Sequence, residues 1–186
     1  MTKILLTLLA LTLTIPNTFG MGKRPEKNRL TFHVEAEKID NPKMVFPLQM
    51  GNRKRVFQKS GLTSTKEIIS FKHFITEDGT YGAVFTFSKA AANRIAAITT
   101  QNQGKWLVGM LNGNAVDGVY IDGPIRDGKI VVWRGIKQVE IIRFEYAMPI
   151  TGETKEAWKE RIKSHEFQRK AAQELAREKK KAKRIR

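Results

Sequence analysis

Between Ala83 and Gly135, turn residues recur so often that only short elements fit between them. The middle of this stretch reads ITTQNQGKWLVGMLNGNAVDGVYIDGPIRDGKIVVWRG. Tyr81, Ala83, Phe85 and Phe87 alternate with Gly82, Val84 and Thr86, which predicts a strand carrying aromatics on one face. Ser88 follows as an N-cap, its hydroxyl accepting from a free amide of the first helical turn. Ala91, Ile95, Ile98 and Asn102 then mark one helical face, apolar until its last turn. Ala92 and Ala96 flank that face with small side chains that let a sheet come close. Gly104 suits the left-handed residue that ends a helix. Trp106 to Leu111 alternates as a strand, and Asn112-Gly113 is a two-residue hairpin turn because both positions tolerate positive φ. Val116 to Ile121 returns. Asp127-Gly128 turns again, and Ile130 to Trp133 is apolar throughout, which predicts a strand buried on both faces or lying beneath the helix.

The rest of the chain is read as sheet added before this unit and a basic extension after it. Leu30, Phe32, Val34 and Ala36 alternate with polar neighbours. Met44 to Gln49 is a strand that Pro47 assigns to an edge or a bulge. Gly51-Asn52 turns the chain into a basic strand from Arg53 to Gln58. Ser64 and Glu67 have capping-box spacing and predict a short helix. Phe71 to Ile75 is a strand, which Asp78-Gly79 turns toward Tyr81. Ile136 to Tyr146 fits a strand through Val139, Ile141 and Arg143. It also fits a helix through Ile136, Val139, Ile142 and Tyr146. The expected fold class is therefore α+β: a mostly antiparallel sheet with one main helix packed on it, spanning 29–150, plus a basic helical or disordered tail over 151–186.

The stretch from Leu62 to Pro149 resembles the head part of the first periplasmic domain of the SecD and SecDF protein-export subunits. The resemblance is carried by Phe85 or Phe87, Thr99, Asn102, Gly104, Leu107, Leu111, Asn112, Gly113, Val116, Ile125, Gly128 and Gly135. Tyr146-Ala147-Met148-Pro149 is similar to the family's Gly-Ala-Leu-Pro, which a short helix precedes, so the resemblance favours the helical reading of Ile136 to Tyr146; LTSTKEI is similar to its Leu-Thr-x-x-Asp-Ile entry. Asp117-Gly118-Val119-Tyr120 stands where the family has small residues, and no multi-span membrane region is present in the sequence. The resemblance implies a stand-alone relative of the head module and weak, non-catalytic contact with unfolded chains. It does not imply proton-coupled translocation, and it assigns no site residue.

Charge and termini bear on the partner. The chain of 186 residues carries a net charge of +16 and no cysteine. Such a balance favours anionic partners without dictating a fold. Residues 1–20 read as a signal peptide: Lys3, an apolar run from Ile4 to Ile15, Pro16, then Thr18-Phe19-Gly20 before the cut. Residues 21–28 read as a flexible start. The mature protein is expected in the periplasm or outside the cell, with no integral span after cleavage. From Glu153 onward, thirteen Lys and Arg face six Glu, or +7. The sparse apolar residues Trp158, Ile162 and Leu175 predict a solvated helix. Candidate anion-binding residues are Arg53, Lys54 and Arg55 on the basic strand, with Lys179, Lys180, Lys181, Lys183 and Arg184 at the end of the tail. Partners implied are polypeptides or an anionic envelope surface.

Catalytic chemistry is not suggested. His33, His73 and His165 have no metal-ligand spacing. Asp117, Asp122 and Asp127 each precede glycine and read as turn residues rather than calcium ligands. There is no nucleophile elbow and no phosphate loop, and no cofactor, metal or catalytic residue is assigned. Two other classes stay open: a cytoplasmic nucleic-acid binder, with Trp106, Tyr120 and Trp133 as a stacking platform beside basic residues, and an enzyme without a known motif.

Overall fold

The computed structural model describes residues 27–37 and 41–184. The proposed signal peptide and most of the start after it lie outside the described residues. The last residue of that start, Asn28, is buried, and its side-chain amide donates to the Glu140 carbonyl at 2.7 Å. The start is thus anchored by the point at which the first strand begins.

The elements are β1 (Leu30–Val34), β2 (Val45–Met50), β3 (Arg53–Gln58), β4 (Thr63–Ser64), β5 (Ile68–Ile75) and β6 (Tyr81–Phe87). Helix α1 (Lys89–Gln101) is followed by β7 (Trp106–Leu111), β8 (Asn114–Tyr120) and β9 (Lys129–Ile136), then α2 (Gln138–Ala147) and α3 (Lys155–Arg184). They form a four-stranded sheet in the order β4-β1-β7-β8, a three-stranded sheet in the order β5-β6-β9, and the β2-β3 ribbon. Every pairing between named strands is antiparallel.

Alternation sets the faces. Leu30, Phe32 and Val34 lie opposite Leu111, Gly109 and Leu107 and point into the core. Phe71 lies opposite Phe85, and Phe85 opposite Ile130, on the inner face of the three-stranded sheet. Phe32 meets Phe87 edge to face, with centroids 6.0 Å apart, so the two sheets share one apolar core. The edges of β8 and β9 also meet: the Trp133 amide donates to the Asp117 carboxylate at 2.6 Å. A Cβ at Gly135, where φ is +88°, would lie 2.6 Å from the Val116 carbonyl oxygen, so the approach there requires glycine.

Two helices, not one, complete the core. Ser88 Oγ accepts from the Ala91 amide as expected of a cap, though at 3.4 Å. The face of α1 that is fully buried is Ala91, Ile95 and Thr99, while Ile98 only packs at its margin. Thr99 is accommodated because its hydroxyl donates to the Ile95 carbonyl and accepts from the Ile125 amide at 2.9 Å. The preference for a helix after Gly135 holds, but its buried face is Ile141 and Phe144 rather than Ile142 and Tyr146. Phe144 packs on Phe71 and Phe85, with centroids 5.7 and 5.2 Å away.

The ribbon covers the outer face of the four-stranded sheet. Phe57 is fully buried, and Phe46 meets the ring of His33 edge-on at 5.3 Å. Burial pulls the His33 imidazole below its ordinary pKa, partly offset by its hydrogen bond with the Gln58 carbonyl. The capping-box pair forms only a single turn of 3-10 helix, with the Ser64 amide donating to Glu67.

Candidate functional site

The outer face of the β5-β6-β9 sheet is left uncovered by the described residues. Strand alternation that turns Phe71, Phe85 and Ile130 inward turns Lys72, Phe74, Val84, Val131 and Trp133 outward, and none of these five is buried. Trp133 is 59% exposed. Its ring meets Phe74 edge to face at 6.3 Å. The two aromatics approach across Gly82, where a Cβ would collide with the Phe74 ring and the Trp133 carbonyl. Of the two readings of Ile130 to Trp133, burial on both faces is therefore corrected: Ile130 and Val132 are core, in one cluster with Ala91 and Ile95 of α1, and Trp133 is surface. An apolar run cannot say on its own which of its faces acquires a cover.

Beside this face runs a sheet edge that the other described strands leave open. Strand β5 is the outer strand, and Ile69 and Ile75 expose large apolar side chains on it, at 53% and 73%. At one position the chain covers the edge itself. The Phe71 amide donates to the Pro149 carbonyl at 3.2 Å, and the Thr151 amide donates to the Phe71 carbonyl at 2.8 Å. Ile150 thus forms a parallel bridge with Phe71. The two-residue period of a strand repeats the same outward-facing backbone groups at His73 and Ile75.

The basic residues named from sequence are divided between elements. Arg55 is committed internally: its guanidinium pairs with Glu35 at 2.7 Å and sits 5.1 Å from the Trp106 ring centroid. Arg53 and Lys54 are exposed at the turn end of the ribbon. Lys179, Lys180, Lys181, Lys183 and Arg184 fall on the last turns of α3. The three aromatics of the stacking platform do not assemble either. Trp106 contacts Tyr120 at 5.8 Å on the four-stranded sheet, whereas Trp133 stands on the other sheet with Phe74.

The tail is more than a solvated helix. The Trp158 indole donates to the Glu145 carbonyl at 3.1 Å. Arg161 clasps both Glu153 oxygens at 2.8 Å and also donates to the Glu145 carbonyl at 3.3 Å. His165 meets the Tyr146 ring at 5.8 Å. Arg161 holds the Glu153 carboxyl down at about 2. The first turns of α3 are docked on α2, and a cleft of about 370 Å³ lies between the two helices. A helix with few apolar residues gave no sign of this in the sequence, because the contact uses one tryptophan and one arginine rather than a stripe.

Among the described residues, no group of three or more His, Asp or Glu is placed to hold a metal ion. Asp117 accepts from the Gly118 and Trp133 amides, and Asp127 accepts from the Lys129 amide, so these carboxylates fix turns and strand edges. No helix among the described residues is long and apolar enough to cross a membrane.

No family model and no curated protein matches the chain. Among solved structures, SecDF, described as a membrane component that enhances protein export, is similar over 63% of this chain and 59% of its own, at 16% identity and a TM-score of 0.46. SecDF in its super-membrane-facing form is similar over 63% of this chain and 18% of its own, at 18% identity and a TM-score of 0.45. The chain thus spans less than two thirds of either protein's length.

Proposed function

We propose that this protein is a non-catalytic module that takes up extended polypeptide segments on its three-stranded sheet. The observation that carries this is the uncovered aromatic face at Phe74 and Trp133, lying beside an edge strand with backbone groups available at His73 and Ile75. Adding a strand to such an edge supplies main-chain hydrogen bonds for affinity, while neighbouring side chains supply preference. The pairing of Phe71 with Ile150 is an intramolecular instance of that addition. Alternate apolar side chains of the client would rest on Phe74 and Trp133 on the outer face and on Ile75 on the opposite face. The charge of +16 favours clients of acidic composition. The leader features around Lys3 and Ile4 to Ile15 support action outside the cytoplasm.

The test is titration with a reduced, carboxymethylated polypeptide that cannot fold, against the same polypeptide in its folded form. Trp133→Ala is expected to weaken binding about tenfold, the scale of an exposed aromatic anchor. Ile75→Pro removes an outward amide at a position where an edge strand tolerates proline, and is expected to weaken it similarly without unfolding the domain. Equal binding of the folded form, or unchanged affinity in both variants, would contradict the proposal.

A second reading rests on α3. Phe167 is 74% exposed and Leu175 58% exposed on a strongly basic helix. Apolar side chains among lysines suit a helix lying on an anionic envelope surface, with Arg53 and Lys54 as further cations. Loss of binding to phosphatidylglycerol vesicles on removing residues 171–186 would support it.

A further inference from the structure

We propose that the cleft between α2 and α3 binds a single-chain anionic amphiphile, its apolar chain on the cleft floor and its acidic head at the rim. The floor is Tyr146 and Ala147 from α2, with Trp158 and Ile162 from α3. Trp158 and Ile162 are only half-buried, so the packing of α3 leaves them accessible to a ligand. The wall they form is fixed, because the Trp158 indole and the Arg161 guanidinium both bond the Glu145 carbonyl at the end of α2. The volume of about 370 Å³ falls within the range of pockets that take small molecules.

Charge selects the class of ligand. Lys27, Arg143, Lys159, Lys163 and Arg169 line the cleft, and Glu166 is the one carboxylate among its lining residues. Lys159 and Lys163 are one helical turn apart on α3, and Arg143 faces the cleft from α2. An apolar floor below a cationic rim matches a phosphate or carboxylate joined to an alkyl chain. A neutral amphiphile would satisfy the floor and gain nothing from the charge of Arg143, Lys159 and Lys163. A free anion would meet the cations and leave Trp158 and Ile162 wet. The inference is independent of polypeptide uptake on the three-stranded sheet, which uses other residues.

The experiment is isothermal titration calorimetry of the full chain with monomeric dodecyl phosphate, with dodecyl maltoside and inorganic phosphate as separate titrants. Dodecyl phosphate is expected to bind at least tenfold more tightly than either. Ile162→Glu is expected to weaken it about tenfold by placing a carboxylate on the floor, and Lys159→Glu with Lys163→Glu to weaken it similarly at the rim. The double rim variant changes exposed positions only, so it decides the matter if Ile162→Glu lowers the melting temperature. Equal affinity for dodecyl maltoside, or unchanged affinity in the rim variant, overturns the proposal. So does affinity for phosphatidylglycerol vesicles alone, which would assign the cations to a bilayer surface.

Discussion

At the scale of single residues, the core is decided by partners that chain spacing does not announce. Ile95 and Ile98 look equivalent on a helical wheel, yet Ile95 is fully buried and Ile98 marginal. Ile95→Ala should cost about 2–5 kcal/mol, and Ile98→Ala clearly less, as read from urea unfolding midpoints. Thr99 carries a second lesson. Its hydroxyl serves the Ile125 amide, so Thr99→Val keeps the shape but strands a half-buried donor, at about 1 kcal/mol. The Glu153–Arg161 pair makes a pH prediction. Glu153 titrates near 2 in the folded chain against 4.5 unfolded. Its contribution is full above pH 4.5 and is lost as pH falls toward 2. His33 acts in a higher window. Its folded pKa is depressed below 6.5, so the unfolded chain takes up the proton first and stability declines as pH drops below 6.5. Unfolding midpoints of Glu153→Gln should lose the lower part of the acid dependence, and those of His33→Gln the upper part.

At the scale of elements, turns were legible and covers were not. Asn112 and Gly113 have φ of +53° and +87°, and Gly104 has +82°, because those residue types make such angles cheap. Every strand except β4 follows from punctuation of this kind plus alternation, as does α1, whereas α2 needed the family resemblance to prefer it over a strand. Sequence cannot choose which face of a short helix meets a sheet, and so Phe144 was missed in favour of Tyr146. The placement of the β2-β3 ribbon over the outer face of the four-stranded sheet was equally invisible, since it depends on contacts such as Arg55 over Trp106. The exposure of the β5-β6-β9 face, on which the candidate site rests, is the same kind of fact: it is set by where the ribbon and helices go. Docking of α3 also changes what truncation does. As a merely solvated tail, its removal would cost about 1 kcal/mol or less. Loss of Trp158 and the Arg161 bonds should instead cost about 2 kcal/mol when the chain ends at Gly152. Ending it at Lys170 keeps those contacts and should cost under about 0.5 kcal/mol. Thermal melts of the two truncations separate the cases.

At the scale of the whole molecule, the basic charge and the open sheet divide the work in the proposed function. Exposed cations are screened over about 10 Å at 0.1 M salt, so attachment to phosphatidylglycerol vesicles should fall steeply with added salt. Polypeptide uptake on the sheet should fall much less, because main-chain hydrogen bonds and aromatic contacts carry it. The central claim is that β5 accepts another strand, and amide hydrogen exchange with and without the carboxymethylated polypeptide tests it most directly. Strand addition predicts that the outward amides of His73 and Ile75 become protected in the complex, with α3 little changed. Protection confined to α3, with His73 and Ile75 exchanging as they do in the free protein, would contradict it.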